Sequence, residues 1–430
     1  MDDWRRRGII AGVLAAALTL VAGFIVVGAL TGNGGGSPVA ASTGPSPSGS
    51  GAQLSSGPPA TKAATPSAYL AWVPVGLPSG FSAAAARLPQ IARTTTVGAD
   101  NVWLTRSADS AGTVVDDPSP NMIPIDAAGI DPRRFASFLP SPYRQIVAGL
   151  GPDQAILSRT SAKLRRLGPG GTLTFQGGVT VKVAAVLPDV LVGAEEVVVD
   201  TATGASIGIT HDRYLLLRAG PGEPPTDAKL AGELARLLPA ALRSGGVQVR
   251  APGETTYLRM ADLVLPPALI KARFGEWSGR PDPPHPGFLL IDPTWVAQHI
   301  VTVHLPVLGT VTCNKGIIGP LRRAMQTLVN AHAETAVHTY EGCYVPKYLL
   351  NDPNASISHH AWGVAVDINA VQSPYGAPPV QDPRLVKAME DQGFIWGGRF
   401  IIPDGHHFEF WRRPGAPPPT VTSGNDLPPA

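Results

Sequence analysis

Two short segments near the C-terminus hold residue types that could do chemistry. The first is Ser358-His359-His360-Ala361-Trp362-Gly363-Val364-Ala365-Val366-Asp367. The second is Asp404-Gly405-His406-His407-Phe408-Glu409. Together they offer two pairs of imidazoles, an intervening carboxylate and further acids. His360, Asp367 and His407 form a set that can ligate one zinc ion, which accepts nitrogen and oxygen donors in tetrahedral geometry. Three protein ligands leave a position for water, the pattern of a catalytic zinc, whereas a structural zinc is closed by four. Zinc lowers the pKa of its water to about 7, and a general base must then stand within hydrogen-bond reach. Asp404, three residues before His407, is the first candidate for that base. Glu409, two residues beyond His407, is placed for a substrate contact or for support of a ligand.

The elements that carry these residues decide whether they can meet. His360 and Asp367 are seven apart, a spacing that would share one face of a helix. Gly363 and the β-branched alternation after it favour a turn into a strand over 362–369 instead. In that strand Ala365 and Asp367 share a face, and small Ala365 leaves room beside the carboxylate. A last strand over 406–411 sends His407, Glu409 and Trp411 one way and His406, Phe408 and Phe410 the other. Gly319-Pro320 predicts the opening of a helix with Leu321, Met325, Leu328 and Val329 on its apolar side. A second helix is framed by Asp382 as cap, Pro383 at its first position and Gly393 past its end. The expectation is a small α+β domain over 301–413 whose antiparallel sheet presents the ligands.

At these residues the chain resembles the zinc peptidases of bacterial peptidoglycan: VanY-like D-Ala-D-Ala carboxypeptidases and the related L-Ala-D-Glu endopeptidases of endolysins. Their pattern is Ser-x-His-x-x-Gly-x-Ala-x-Asp, then an acid three residues before a final His that an apolar residue follows. Ser358, His360, Gly363, Ala365 and Asp367 match the first part; Asp404, His407 and Phe408 match the second. The resemblance covers roughly residues 305–412. It implies zinc ligands His360, Asp367 and His407, Asp404 as catalytic acid/base, and peptidoglycan stem peptides as substrate. Family members usually carry an Arg upstream of the first His; here Lys347 lies in that region, keeping the charge without bidentate geometry. Ser358 is read as orienting the turn or a ligand. His359 and His406 are read as supporting the ligands or touching substrate. The rival reading is a wall-peptide or zinc binder that keeps the fold without turnover.

The rest of the chain bounds these readings. It has 430 residues with 48 Gly and 45 Pro, enough for two or three folded parts plus linkers. A net charge of +2 gives no global electrostatic case for nucleic acid binding. Arg5-Arg6-Arg7 precedes an uncharged run from Gly8 to Leu30, long enough to span a membrane. Residues 1–30 therefore predict a transmembrane anchor with the remainder outside the cytoplasm, the rival being a cleaved signal peptide. Residues 31–67, with Lys62 as the one charge, and 414–430 read as disordered.

Residues 68–300 alternate helix-like and strand-like segments, predicting an α/β or α+β accessory domain. Helices are expected over Ser82–Ile91 and over Asp227–Leu242, the latter capped by Thr226 and bent by Pro239. Strands are expected at Thr172–Phe175, Val179–Val186 and Glu196–Asp200. This region has a faint similarity to extracytoplasmic core domains of MacB-type permeases. His211-Asp212 resembles a dyad but lacks a nucleophile, so it reads as structural. Cys313 and Cys343 can form a disulfide outside the cytoplasm, the alternative being two buried thiols.

Overall fold

The structure is a computed structural model that describes residues 68–73, 76–193, 195–250, 265–400 and 402–411. The segments read as anchor, linker and tail lie outside the described residues. Among the described residues no helix is long and apolar enough to cross a membrane.

The β-branched and apolar runs of the first half become ten strands. They are β1 (Tyr69–Trp72), β2 (Ile91–Ala108), β3 (Val114–Asp116), β4 (Ile123–Ile130), β5 (Gln154–Ser158), β6 (Thr172–Phe175), β7 (Thr180–Leu187), β8 (Val197–Asp200), β9 (Asp212–Ala219) and β10 (Gln248–Arg250). At 18 residues, β2 is long enough to serve several partners. β9 pairs with its first half and β6 with its end, while β4 pairs along its opposite edge. Pairing continues β4–β8–β5–β7–β6 and returns to β2, so six strands close into a barrel. β9, β1 and β10 extend the sheet beyond that ring.

This closed barrel corrects the expected α/β or α+β accessory domain. The strands expected near 172–200 are present, but their pairing is not that of an open layered sheet. Closure depends on Leu104–Ala108 meeting Thr172–Phe175, a long-range contact with no local sequence signature. Val102, Leu104, Leu157, Phe175, Val183 and Val199 fill the interior. Asn101 and Trp103 alternate with them on β2 and point the other way. Trp103 accordingly joins the apolar core of the C-terminal half.

Two helices of this half differ from expectation. The Ala-rich segment is helical only over Phe81–Ala85, because Ile91 already opens β2. Thr226 does cap its helix, accepting from Lys229 N at 3.3 Å, but the helix stops at Leu237. Pro239, which cannot continue the ladder, starts a short 3-10 turn there.

The C-terminal half has one apolar core running from Leu265 to Trp411. Its strands are β11 (Gly279–Pro281), β12 (Leu289–Ile291), β13 (Ile300–Leu305), β14 (Gly309–Asn314), β15 (Tyr340–Gly342), β16 (Ala365–Ile368), β17 (Phe394–Trp396) and β18 (His407–Phe410). The last four form an antiparallel sheet in the order β15-β16-β18-β17. The helix expected to open at Pro320 instead spans Lys315–Asn330. Asn314 starts it by accepting from Gly316 N at 2.9 Å, satisfying a donor that the first turn leaves free. Pro320 then sits inside and removes one helical hydrogen bond. The second helix follows its frame: Asp382 caps Pro383–Asp391, and Gly393 beyond it has a φ of +93°.

A buried ionic cluster joins the two halves. Arg165, with no exposed side-chain surface, pairs with Glu276 at 2.5 Å and Glu196 at 3.5 Å. Lys271 also reaches Glu196 at 2.5 Å. Removing one partner of such a cluster would strand a buried charge, which is strongly unfavourable. Cys313 and Cys343 form a disulfide with Cα atoms 5.3 Å apart, tying β14 to the segment after β15.

Candidate metal centre

Each side chain of the site is positioned by a local rule of its segment. Ser358 caps a 3-10 turn over His359–Trp362, its hydroxyl accepting from His360 N at 3.3 Å. Gly363 ends the turn at φ +66°, where a Cβ would lie 2.7 Å from Asn314 N. Only glycine meets both demands. The chain then enters β16, whose Asp367 lies opposite His407 of β18 in the register. Gly397 packs closely beneath, since a Cβ there would meet the Asp404 carbonyl at 2.6 Å and the His407 Cβ at 3.1 Å.

The three proposed ligands converge. One donor atom from each of His360, Asp367 and His407 lies within 4.8 Å of the others. Asp367 Oδ2 is 3.2 Å from His360 Nε2, and Asp367 Oδ1 is 3.0 Å from His407 Nδ1. Two donors about 2.1 Å from a tetrahedral zinc would stand about 3.4 Å apart, so the spacing suits that ion. The hydrogen bonds agree. His360 Nδ1 donates to the Cys343 carbonyl at 2.8 Å, which leaves Nε2 its lone pair. His407 Nε2 lies 3.4 Å from Glu409 Oε2, which leaves Nδ1 for the same purpose. The donor set therefore fits zinc.

The electrostatics follow from burial and pairing. Burial opposes ionisation of Asp367, but the His360 and His407 imidazoles outweigh it and hold the carboxyl well below its usual range. Burial likewise disfavours a charged His407, yet hydrogen bonds to Asp367 and Glu409 keep its pKa well above the usual value. A metal bound at Nδ1 would displace that proton. For Glu409 burial is again the largest influence and acts upward. His359 and His407 overcome it and bring the carboxyl down to about 2.

The remaining sequence candidates separate. Asp404 stands beside His407, its carbonyl accepting from His407 N at 3.1 Å, but its carboxylate is not one of the three convergent donors. Asp404 Oδ1 is buried and has no hydrogen-bond partner among the described residues. His406 Nδ1, 3.2 Å away, donates instead to the Ser373 carbonyl at 2.9 Å. His406 thus anchors the loop after β16. His359 bonds to Glu409, making a chain His359–Glu409–His407 behind the ligands. Lys347 does not join the cluster through any contact: its backbone pairs with Phe288 and Ser358, and its side chain makes no hydrogen bond or ion pair among the described residues. His211 pairs with Asp100 at 2.8 Å rather than with Asp212.

Sequence reasoning missed three supports. The Cys343 carbonyl that orients His360 is backbone and leaves no sequence signal. Asn369, at φ +64°, accepts from His338 N and Thr339 N and donates to the Ala336 carbonyl, pinning the chain just past Asp367. Asn is a residue type that tolerates this conformation, so a polar residue closing a strand was the available clue. Gly397 shows its role only through packing.

Comparison with known proteins agrees with the position of the site. Residues 351–410 match the model of a protein family described as D-alanyl-D-alanine carboxypeptidase. No curated protein sequence matches the chain. Among solved structures, the periplasmic region of MacB from Actinobacillus actinomycetemcomitans aligns at 12% identity, with a TM-score of 0.29, over 43% of this chain and 88% of that one. The extracellular domain of the noncanonic ABC-type transporter YknZ from Gram-positive bacteria aligns at 13% identity and a TM-score of 0.29, over 43% of this chain and 99% of that one. The C-terminal stretch that holds His360, Asp367, Asp404 and His407 is therefore similar to D-alanyl-D-alanine carboxypeptidases, and the likeness stops at that stretch.

Proposed function

We propose that this chain is an extracytoplasmic zinc peptidase that hydrolyses amide bonds in peptidoglycan peptides, of the D,D-carboxypeptidase or L-Ala-D-Glu endopeptidase type. One observation carries the reading: the donor atoms of His360, Asp367 and His407 converge within the stretch that matches the carboxypeptidase family. A zinc ion held there supplies Lewis acidity toward water and an amide carbonyl at neutral pH. The chain's own residues do the rest. Asp404, with a buried oxygen that makes no hydrogen bond among the described residues, takes a proton at Oδ1 and passes it to the leaving amine. Cys343 and Glu409 fix the ring orientations of His360 and His407. The Cys313–Cys343 disulfide supports an oxidising compartment.

The test is a digest of purified muropeptides by the zinc-loaded full chain, read by mass spectrometry. The expected result is loss of a terminal D-Ala or cleavage within the stem, absent from a His360→Ala control. Product no greater than in that control overturns the proposal. The Lys347 side chain, which makes no hydrogen bond or ion pair among the described residues, favours a second reading, a wall-peptide binder without turnover, because no contact holds it ready to neutralise a developing oxyanion. Muropeptide binding with no hydrolysis, unchanged by Asp404→Ala, would select it.

A further inference from the structure

The segment that delivers His360 is held from outside the peptidase-like stretch. Residues 345–348 run back along 357–360. Tyr348 bridges Ile357, Ser358 N donates to the Lys347 carbonyl at 3.0 Å, and Val345 N donates to the His360 carbonyl at 3.0 Å. Two barrel side chains grip this pair of strands. Asn101 Oδ1 accepts from Ile357 N at 2.8 Å, three residues before His360. The Trp103 indole N–H lies within reach of the Tyr348 hydroxyl, and both rings lie in one apolar core with Ile357.

The grip is itself braced. Asn101 donates through its amide nitrogen to Asp126, its register partner on β4. Asp126 is 1% exposed, and its backbone nitrogen donates to Glu196 Oε1 at 3.2 Å. Glu196 is one of the two acids that Lys271 and Arg165 share at the junction, Glu276 being the other. A continuous set of buried and half-buried polar contacts therefore runs from the ionic cluster through β4 and β2 to Ile357. The outward alternation of Asn101 and Trp103 on β2 has no use inside the barrel, where Val102 and Leu104 face.

We propose that Asn101 and Trp103 of the barrel are positioning residues for His360, so that the metal site is completed by the barrel rather than by the peptidase-like stretch alone. The inference deepens the zinc-peptidase reading and rests on it for its functional meaning. The barrel thereby acquires a role. It sets the Tyr348–Ile357 pair, which sets the turn, which sets Nε2 of His360 against Asp367.

The experiment compares the native full chain with Asn101→Ala, Trp103→Phe and Val183→Ala. Val183 is a barrel-interior residue, 1% exposed, and serves as the destabilised control. Two readouts are taken: hydrogen–deuterium exchange of the 343–362 segment without metal, and zinc affinity by chelator competition. Asn101→Ala is expected to speed exchange in 343–362 and to weaken zinc binding about tenfold, the scale for loss of a ligand's support. Trp103→Phe, which keeps a ring but removes the indole donor, should act in the same direction to a smaller extent. Val183→Ala should lower thermal stability without either effect. The exchanged pair Asn101→Asp with Asp126→Asn keeps an acceptor for Ile357 N and should restore both readouts. Unchanged exchange in Asn101→Ala, or equal changes in Val183→Ala, overturns the inference. Absence of zinc binding by the native chain overturns the peptidase reading instead, and the exchange measurement still decides the positioning claim.

Discussion

Reducing the Cys313–Cys343 bond should weaken the fold and the site by separable amounts. The two residues are 30 apart in sequence. Closing a loop of that length removes chain entropy from the unfolded state equivalent to about 3.5 kcal/mol. Both sulfurs are buried, at 0% and 1% residue exposure, in the core of the C-terminal half. Reduced thiols fit there as small apolar groups once their sulfurs part to van der Waals distance, so most of the core should keep its packing while the segment at Cys343 loosens, and the stability loss should fall mainly on the unfolded side. Urea unfolding of oxidised and reduced protein, followed by tryptophan fluorescence, should give a difference of about 3–4 kcal/mol. The site adds a second effect. The Cys343 carbonyl holds His360 Nδ1, and a freed segment lets that ring turn. Zinc affinity of the reduced folded protein should therefore drop by about tenfold. A stability difference below about 1 kcal/mol would refute the loop-entropy reasoning. Unaltered zinc affinity would refute the claim that the bridge steadies the ligand.

Other outcomes follow from single positions. Asp404→Asn should retain zinc within a few-fold while turnover on muropeptides falls on the order of 10²–10⁴-fold, as expected when a proton-transfer group is removed. Gly363→Ala should cost about 2–3 kcal/mol in denaturant unfolding, because it adds left-handed strain and a clash with the Asn314 backbone. Burial raises the Glu195 carboxyl to about 8, so the folded state holds a proton that the unfolded state releases near pH 4.5. Stability should then fall as pH rises from about 4.5 to 8, the unfolded chain binding fewer protons across that window. Glu195→Gln should flatten this slope and exceed the native protein in stability above pH 8; a pH-independent difference between the two would refute it.

What the sequence disclosed divides along the range of the interactions. The turn at Gly363 and the cap at Asp382 were readable because each is set within a few residues. So was the sorting of Phe408 and Phe410 into the core, since a strand's alternation is a local rule. The meeting of Asp367 with His407 depends on strand register, and the motif supplied it only because both segments carry fixed spacings around it. The closed barrel was not readable. Its decisive pairing joins β2 to β6, and nothing in Thr172–Phe175 names its partner. Lys347 stands apart from these cases: its nearness in sequence to the first His fixes no contact, and its side chain makes no hydrogen bond or ion pair among the described residues. Pro320 shows the limit of a local rule, since a capping Asn five residues upstream of Gly319 moved the true start of the helix.

The pairing of Asp367 with His407 across two hydrogen-bonded strands has an evolutionary corollary. Backbone ladders, not the ion, bring those two donors face to face, and a covalent bridge steadies the segment behind the third. Ligand set and architecture are thereby uncoupled. A zinc finger unravels when its ion is stripped, whereas a descendant of this chain could shed one ligand and survive as an intact, inert scaffold. On the proposed peptidase reading, such lineages would be free to trade hydrolysis for recognition without first passing through an unfolded intermediate.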